Sequence, residues 1–218
     1  MTTDRKVSAR GAGHRVRALV LALLSVLLSA PVHASLVDLG SRTLDRDTGL
    51  EWLDLTLTQG QSLAAVRAGF GGFTSTQGWR VADQDELSTL YTSAGFRFAT
   101  GGNRPEQSEI DAALLLTSLL GVTSVRAVGP FTVTEAIGWY DPVPAVAGAG
   151  RRGAVNFQSN SAGTPFTGSA GFGSFFVDTR VEAGVGTFLV RSASTVPAPP
   201  ALALLIVAAL GLRRRCDG

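Results

Sequence analysis

Lysine, histidine and cysteine are almost missing from this chain of 218 residues, and the few copies lie at its ends. Lys6, His14 and His33 come before residue 35, and the single cysteine is Cys216. Between residues 35 and 195 there is none of the three. A Ser-His-Asp or Cys-His nucleophile, a His-ligated zinc and a Schiff-base lysine are thereby excluded from the middle of the chain. So is a disulfide, and the stretch must be held by its core alone. The Gly-rich segment 69–72 lacks a Walker lysine and the strand–GxGxxG–helix context, which leaves phosphate cradling without support. A glycosidase working through two carboxylates survives this elimination, since two acids suffice.

Positive charge is also scarce where it would count. The formal net charge of +2 comes from the ends: five of the 19 cations precede residue 35 and Arg213, Arg214 and Arg215 follow residue 195. The middle keeps 11 arginines against 15 acids, a balance of about −4, so a nucleic-acid partner has no electrostatic basis.

What is present at the N-terminus is an export signal. Arg10, Arg15 and Arg17 precede an apolar run over residues 18–28, and Val32-His33-Ala34 follows Pro31. A charged region, a short apolar region and an Ala-x-Ala-like site predict a secretory signal peptide over residues 1–34. Signal peptidase is expected to cut between Ala34 and Ser35. Eleven apolar residues are too few to span a bilayer comfortably.

The C-terminus carries a second address. Val196, Pro197, Ala198 and Pro199 lead into an apolar run over residues 201–212, which stops at Arg213, Arg214 and Arg215. Proline spacer, apolar segment and basic stop together resemble the PEP-CTERM sorting tail of Gram-negative bacteria, with Val-Pro-Ala-Pro in place of Val-Pro-Glu-Pro. The resemblance covers residues 196–218 and implies processing by an exosortase after transient insertion in the inner membrane. Cys216 reads as an incidental residue near a disposable end, with lipidation as the other reading.

The middle, residues 35–195, has the length of one domain. Residues 41–45 and 50–53 read as paired strands around a turn at Arg46-Asp47-Thr48-Gly49. Ser62 caps a short helix over 63–68, which ends in a flexible aromatic loop at 69–73. Asp83 and Glu86 form a capping-box start for a helix with a stripe of Leu87, Leu90, Tyr91 and Ala94, closed by Gly95. Pro105 precedes a buried helix over 106–120, closed by Gly121. Residues 131–140 alternate as a strand does; 142–153 read as a Pro/Gly/Ala loop; short strands follow at 154–157, 174–178 and 186–191. The order of hairpin, two to three helices and several short antiparallel strands predicts a single α+β domain.

Three pieces recur together in this order: Asp47-Thr48-Gly49-Leu50-Glu51-Trp52-Leu53, then Gly78-Trp79-Arg80-Val81-Ala82 with Glu86-Leu87, then the closing Gly186-Thr187-Phe188-Leu189-Val190-Arg191. They resemble PEP-CTERM secreted proteins and, more distantly, the C-terminal domain of the Legionella collagen-like adhesin. That family is similar to C-type-lectin-like folds, which the resemblance implies here. The chain has Val81-Ala82 where the family has Leu-Pro, and none of the Glu-Pro-Asn, Gln-Pro-Asp or Trp-Asn-Asp triplets that hold calcium and sugar in C-type lectins.

Two groupings invite a ligand reading. Asp45-x-Asp47-x-Gly49 has the first half of a calcium loop but no distal Glu, and a hairpin turn needs the same residues. Trp52, Trp79, Trp139 and Tyr140 could stack on sugars, although core packing suits most of them better. Tyr140 and Phe73, beside loops, are the pair expected at the surface. The expected function is an exported, non-catalytic surface or matrix protein associated with exopolysaccharide and needing no cofactor. A carbohydrate-binding module is the alternative, and a glycoside hydrolase ranks below it.

Overall fold

The computed structural model describes residues 35–97 and 102–194. Ala34, the sorting residues Val196, Pro197, Ala198 and Pro199, the stop residues Arg213, Arg214 and Arg215, and Cys216 lie outside the described residues.

The domain opens with β1 (Leu36–Asp38), β2 (Arg42–Asp45) and β3 (Leu50–Leu53). The β2–β3 turn forms because the Asp45 carboxylate accepts from the backbone N–H groups of Asp47 (2.9 Å) and Thr48 (3.4 Å), a side chain imitating a turn. A short 3-10 turn over Leu55–Thr58 leads to α1 (Leu63–Arg67), whose N-cap Ser62 accepts from the Ala65 N–H at 3.1 Å. The segment expected as a flexible loop is instead a 3-10 turn, Phe70–Gly72, running into α2 (Phe73–Thr76). Gly71 and Gly72, at φ of 65° and 73°, supply the left-handed backbone between them.

After β4 (Arg80–Val81) comes α3 (Gln84–Ser93). Its capping box is complete: the Asp83 side chain accepts from the Glu86 N–H at 2.9 Å, and Glu86 accepts from the Asp83 N–H at 3.1 Å. Leu87, Leu90 and Tyr91 are wholly buried, each stabilising by about 1.5–3 kcal/mol. The longest helix, α4 (Gln107–Leu120), buries Ile110, Ala113, Leu116 and Leu120.

Six strands complete the domain: β5 (Ser124–Val128), β6 (Phe131–Tyr140), β7 (Ala149–Ser159), β8 (Pro165–Val177), β9 (Gly186–Thr187) and β10 (Leu189–Ser192). The domain is α+β, with two sheets. The first runs β1-β2-β3-β10-β4, all antiparallel, and the second β5-β6-β7-β8, also antiparallel. β9 joins the second sheet by a parallel pairing with β6, through Gly138↔Gly186 and Trp139↔Thr187.

The main core lies between α3, α4 and the inner faces of both sheets, and it includes Trp52, Tyr91, Leu116, Val155 and Phe188. α4 sits directly on β8 at Gly168, where a Cβ would stand 2.2 Å from the Glu109 carbonyl oxygen. A side chain there would push the helix off the sheet. The same effect corrects the expected loop over 142–153. Only its first part is a loop, and β7 begins at Ala149. Glycine in a sequence suggests a loop, but a Cβ at Gly150 would lie 2.4 Å from the Leu63 side chain, so this glycine marks close packing. The strand expected at 174–178 is likewise only the end of the thirteen-residue β8.

Candidate functional site

The two sheets meet at the closing segment. Phe188 donates its N–H to the Trp139 carbonyl at 2.9 Å, Ala82 donates to the Phe188 carbonyl at 2.8 Å, and Asp141 donates to the Ala82 carbonyl at 2.9 Å. These bonds set the end of β6 beside the end of β4. Asp141 thereby comes next to Arg80 and Val81, residues some 60 positions earlier in the chain.

The last turn of α1 supplies the group that ties this junction together. Arg67 donates to the Asp141 carboxylate, to Asp178 at 2.9 Å and to the Ala149 carbonyl at 3.2 Å. One guanidinium thus joins α1 to the end of β6, the start of β7 and the end of β8. Its planar fork can hold two carboxylates at once, which an ammonium cannot do with fixed geometry.

Around this node lies a cleft of about 400 Å³, lined by Arg67, Thr74, Trp79, Arg80, Val81 and Asp141, within the size range of small-molecule sites. Trp79 is its buried wall: the Arg191 guanidinium stacks on the ring at 4.3 Å, and the side chain packs with Leu53, Val66 and Leu189. Arg191 is itself fixed by Glu51 at 2.8 Å and the Gln77 carbonyl at 3.1 Å. Thr74 donates its hydroxyl to the Val66 carbonyl at 2.9 Å, which leaves its oxygen able to accept. Arg80 pairs with Glu86 at 2.8 Å. That hydrogen bond raises the Arg80 pKa above its ordinary value, against the opposing effect of burial. Burial pushes the Glu86 carboxyl up, but the bonds from Arg80 and from the Asp83 amide outweigh it and hold the group below the usual carboxylate range.

Chemically the cleft offers fixed donors (Arg67, Arg80), fixed acceptors (Asp141, Thr74) and an apolar side chain (Val81). The three carboxylates of Asp141, Asp178 and Glu86 outnumber the two arginines they pair with, so the charge of the site does not favour an anion. A ligand whose groups each donate and accept, such as a sugar, matches this pattern. A smaller groove of about 180 Å³ crosses the β7–β8 face between Arg152, Asn156 and Ser169.

Of the residues singled out from the sequence, Ser35 is tied into the fold: its carbonyl accepts from the Arg46 N–H at 2.7 Å and its hydroxyl donates to the Ser93 carbonyl at 3.0 Å. Asp45 is fully buried and spends one oxygen on the turn amides and the other on the Ser93 hydroxyl at 3.0 Å. The motif is a turn, and among the described residues no group of three His, Cys, Asp or Glu could hold a metal. Trp52, Trp79 and Trp139 are buried and form no stacking surface. Tyr140, expected at the surface, is wholly buried, because β7 pairs Arg151 opposite it and Phe172 packs on its ring at 5.7 Å. Phe73 is half-buried against the Trp79 cluster.

Arg67, Asp141 and Asp178 were not singled out by the sequence. Arg67 lies 74 positions from one partner and 111 from the other, and no local spacing signals such a meeting. Comparison with protein-family models, with curated proteins and with solved structures finds no match.

Proposed function

We propose that this is an exported, non-catalytic surface or extracellular-matrix protein, sorted through its PEP-CTERM-like tail and associated with exopolysaccharide by sugar binding in the Arg67–Asp141 cleft. The cleft carries the reading: its donors and acceptors are held in place by the fold before any ligand arrives, which lowers the ordering cost of binding. Signal peptidase and an exosortase-like membrane protease are the processing partners, the tail entering the inner membrane transiently. The C-type-lectin-like architecture belongs to the same proposal. In its support, the three motifs that carry the resemblance converge on one sheet, where Val190 pairs with Trp52 on one side and with Arg80 on the other.

The test is a glycan array probed with the exported protein, followed by titration of the best neutral polysaccharide. Saturable binding is expected, weakened about tenfold in Thr74→Val and Arg80→Ser and unchanged in Asn156→Ala, which lies in the smaller groove. The polysaccharide should gain no reducing ends on incubation. Absence of glycan binding, or binding indifferent to the cleft variants, refutes the sugar site; new reducing ends refute the non-catalytic reading.

A further inference from the structure

We infer that the free edge of β8 is a self-association surface, pairing antiparallel with β8 of a second copy of this chain. Exposed sheet edges present unpaired N–H and C=O groups, and proteins normally blunt them with charge, proline or brevity. Three of the free edges here follow that rule. β1 is three residues long and ends in Asp38, β4 is two residues long and holds Arg80, and β5 carries Arg126 in its centre. β8 is thirteen residues long and contains no charged residue, and its single proline, Pro165, stands at its first position.

Among the described residues the outer edge of β8 is bridged only near its start, where Arg104 and Gly168 exchange backbone hydrogen bonds at 2.9 Å each. Toward its far end the Val177 carbonyl is taken by the Arg180 N–H at 3.0 Å, and among the described residues no other backbone group bridges the outer edge over Phe175–Val177. Asp178 donates to the Gly148 carbonyl at 3.0 Å, which fixes the alternation of hydrogen-bonded pairs with β7 and turns the N–H groups of Phe175 and Val177 outward. The side chains there are apolar, with Phe175 56% and Val177 66% exposed, and the Arg151 guanidinium lies over one face of the Phe175 ring at 4.9 Å. The adjoining loop over residues 142–148 has no charge and adds exposed Val143 and Val146.

The occupant follows from this pattern. An edge with outward N–H groups left over takes an extended strand by backbone bonds, and a strand whose own residues carry no charge meets no like-charge penalty when it faces itself. The same strand on a second copy supplies an apolar, equally uncharged partner, and a twofold axis closes the assembly as a dimer. The inference does not rest on the sugar reading, since the cleft residues take no part in this edge.

The exported protein should associate in sedimentation velocity between about 1 and about 200 μM, a range that brackets moderate affinities. Phe175→Lys and Val177→Lys should weaken association by about a hundredfold, because like charges then face each other across the pair. Val125→Lys, on the β5 edge, should associate as the unaltered chain does. Circular dichroism shows which variants fold, and backbone hydrogen exchange of the unaltered protein reports independently of any variant. Amides of residues 173–177 should exchange more slowly as concentration rises. A protein that stays monomeric throughout, folded lysine variants that still associate, or concentration-dependent protection located elsewhere overturns the inference.

Discussion

The ring of Phe188 stands where a side chain on Gly138 would have to go: a Cβ on Gly138 would lie 2.7 Å from Phe188 Cδ2 and 2.8 Å from a methyl of Leu55. Phe188 also meets Trp52 edge-on at 6.5 Å, so this one contact joins β6 to the first sheet. Gly138→Ala is expected to destabilise by about 1–3 kcal/mol through overpacking, and Phe188→Ala by about 3–5 kcal/mol through the cavity left behind. Urea denaturation of both variants measures this. A Gly138→Ala protein as stable as the parent would mean that the sheets separate freely at the junction.

Arg67→Ala removes three hydrogen bonds and leaves Asp141 and Asp178 facing each other unpaired. The arginine is about a third exposed, so solvent moderates the loss, and a cost of about 2 kcal/mol is expected. Adding Asp178→Asn to Arg67→Ala should restore part of that cost by removing one of the stranded charges. A double-mutant cycle by denaturation reads the coupling; additive effects would show that the node binds nothing together.

The Tyr140 hydroxyl is buried without a hydrogen-bond partner. Burial pushes its pKa up to about 12, with the Arg151 guanidinium pulling weakly the other way. An unfolded tyrosine ionises near pH 10. The folded pKa is the higher one, so this contribution to stability is fully present below pH 10 and is lost as pH climbs toward 12. Tyr91, also raised by burial, acts in the same direction. Tyr140→Phe should leave stability at pH 7 unchanged or up to about 1 kcal/mol higher, since no bond is lost with the hydroxyl. It should also reduce the decline between pH 10 and 12, as followed by thermal melts across that window. A large loss of stability at pH 7 would reveal a partner for the hydroxyl.

The twelve apolar residues 201–212 would reach about 18 Å if helical, against roughly 30 Å of hydrocarbon, a length that fits the transient hold proposed above. Cations resist translocation, so replacing Arg213, Arg214 and Arg215 with Ser, or deleting residues 196–200, should change the compartment or the mass of the exported protein. Fractionation and mass spectrometry decide it. Both variants arriving in the parent's compartment at the parent's mass would show that the tail is no sorting signal.

Much of the architecture was legible because its causes are local. The capping box of Asp83 and Glu86, the Asp45–Gly49 turn and the alternation over Phe131–Tyr140 each depend on residues within a few positions of one another. β1, β4 and β5 were not foreseen, since two to five residues become a strand only when a partner is supplied from elsewhere. β7 was half hidden because its glycines, which serve close packing, resemble those of a loop. Tyr140 was misplaced for a related reason: Pro142 announces a loop, but exposure is decided by Phe172 on a different strand. The cleft was illegible because Arg67, Asp141 and Asp178 become neighbours only after α1, β6 and β8 have been placed.

β10 lies between β3 and β4, and Arg191 reaches across 140 positions to Glu51. If the chain is exported as proposed, it crosses the membrane from its N-terminus, and β3 and β4 emerge long before the strand that belongs between them. Neither sheet can be completed while residues 186–192 are still inside, and the slot beside Trp52 stays open until they appear. Folding of such a topology is governed by its most distant contacts. The exposed apolar slot would make a partly emerged chain prone to aggregate, so the proposed export requires that the chain be held unfolded and guarded until translocation is nearly finished. A truncation that removes only the last strand should therefore leave an unfolded chain rather than a smaller folded one.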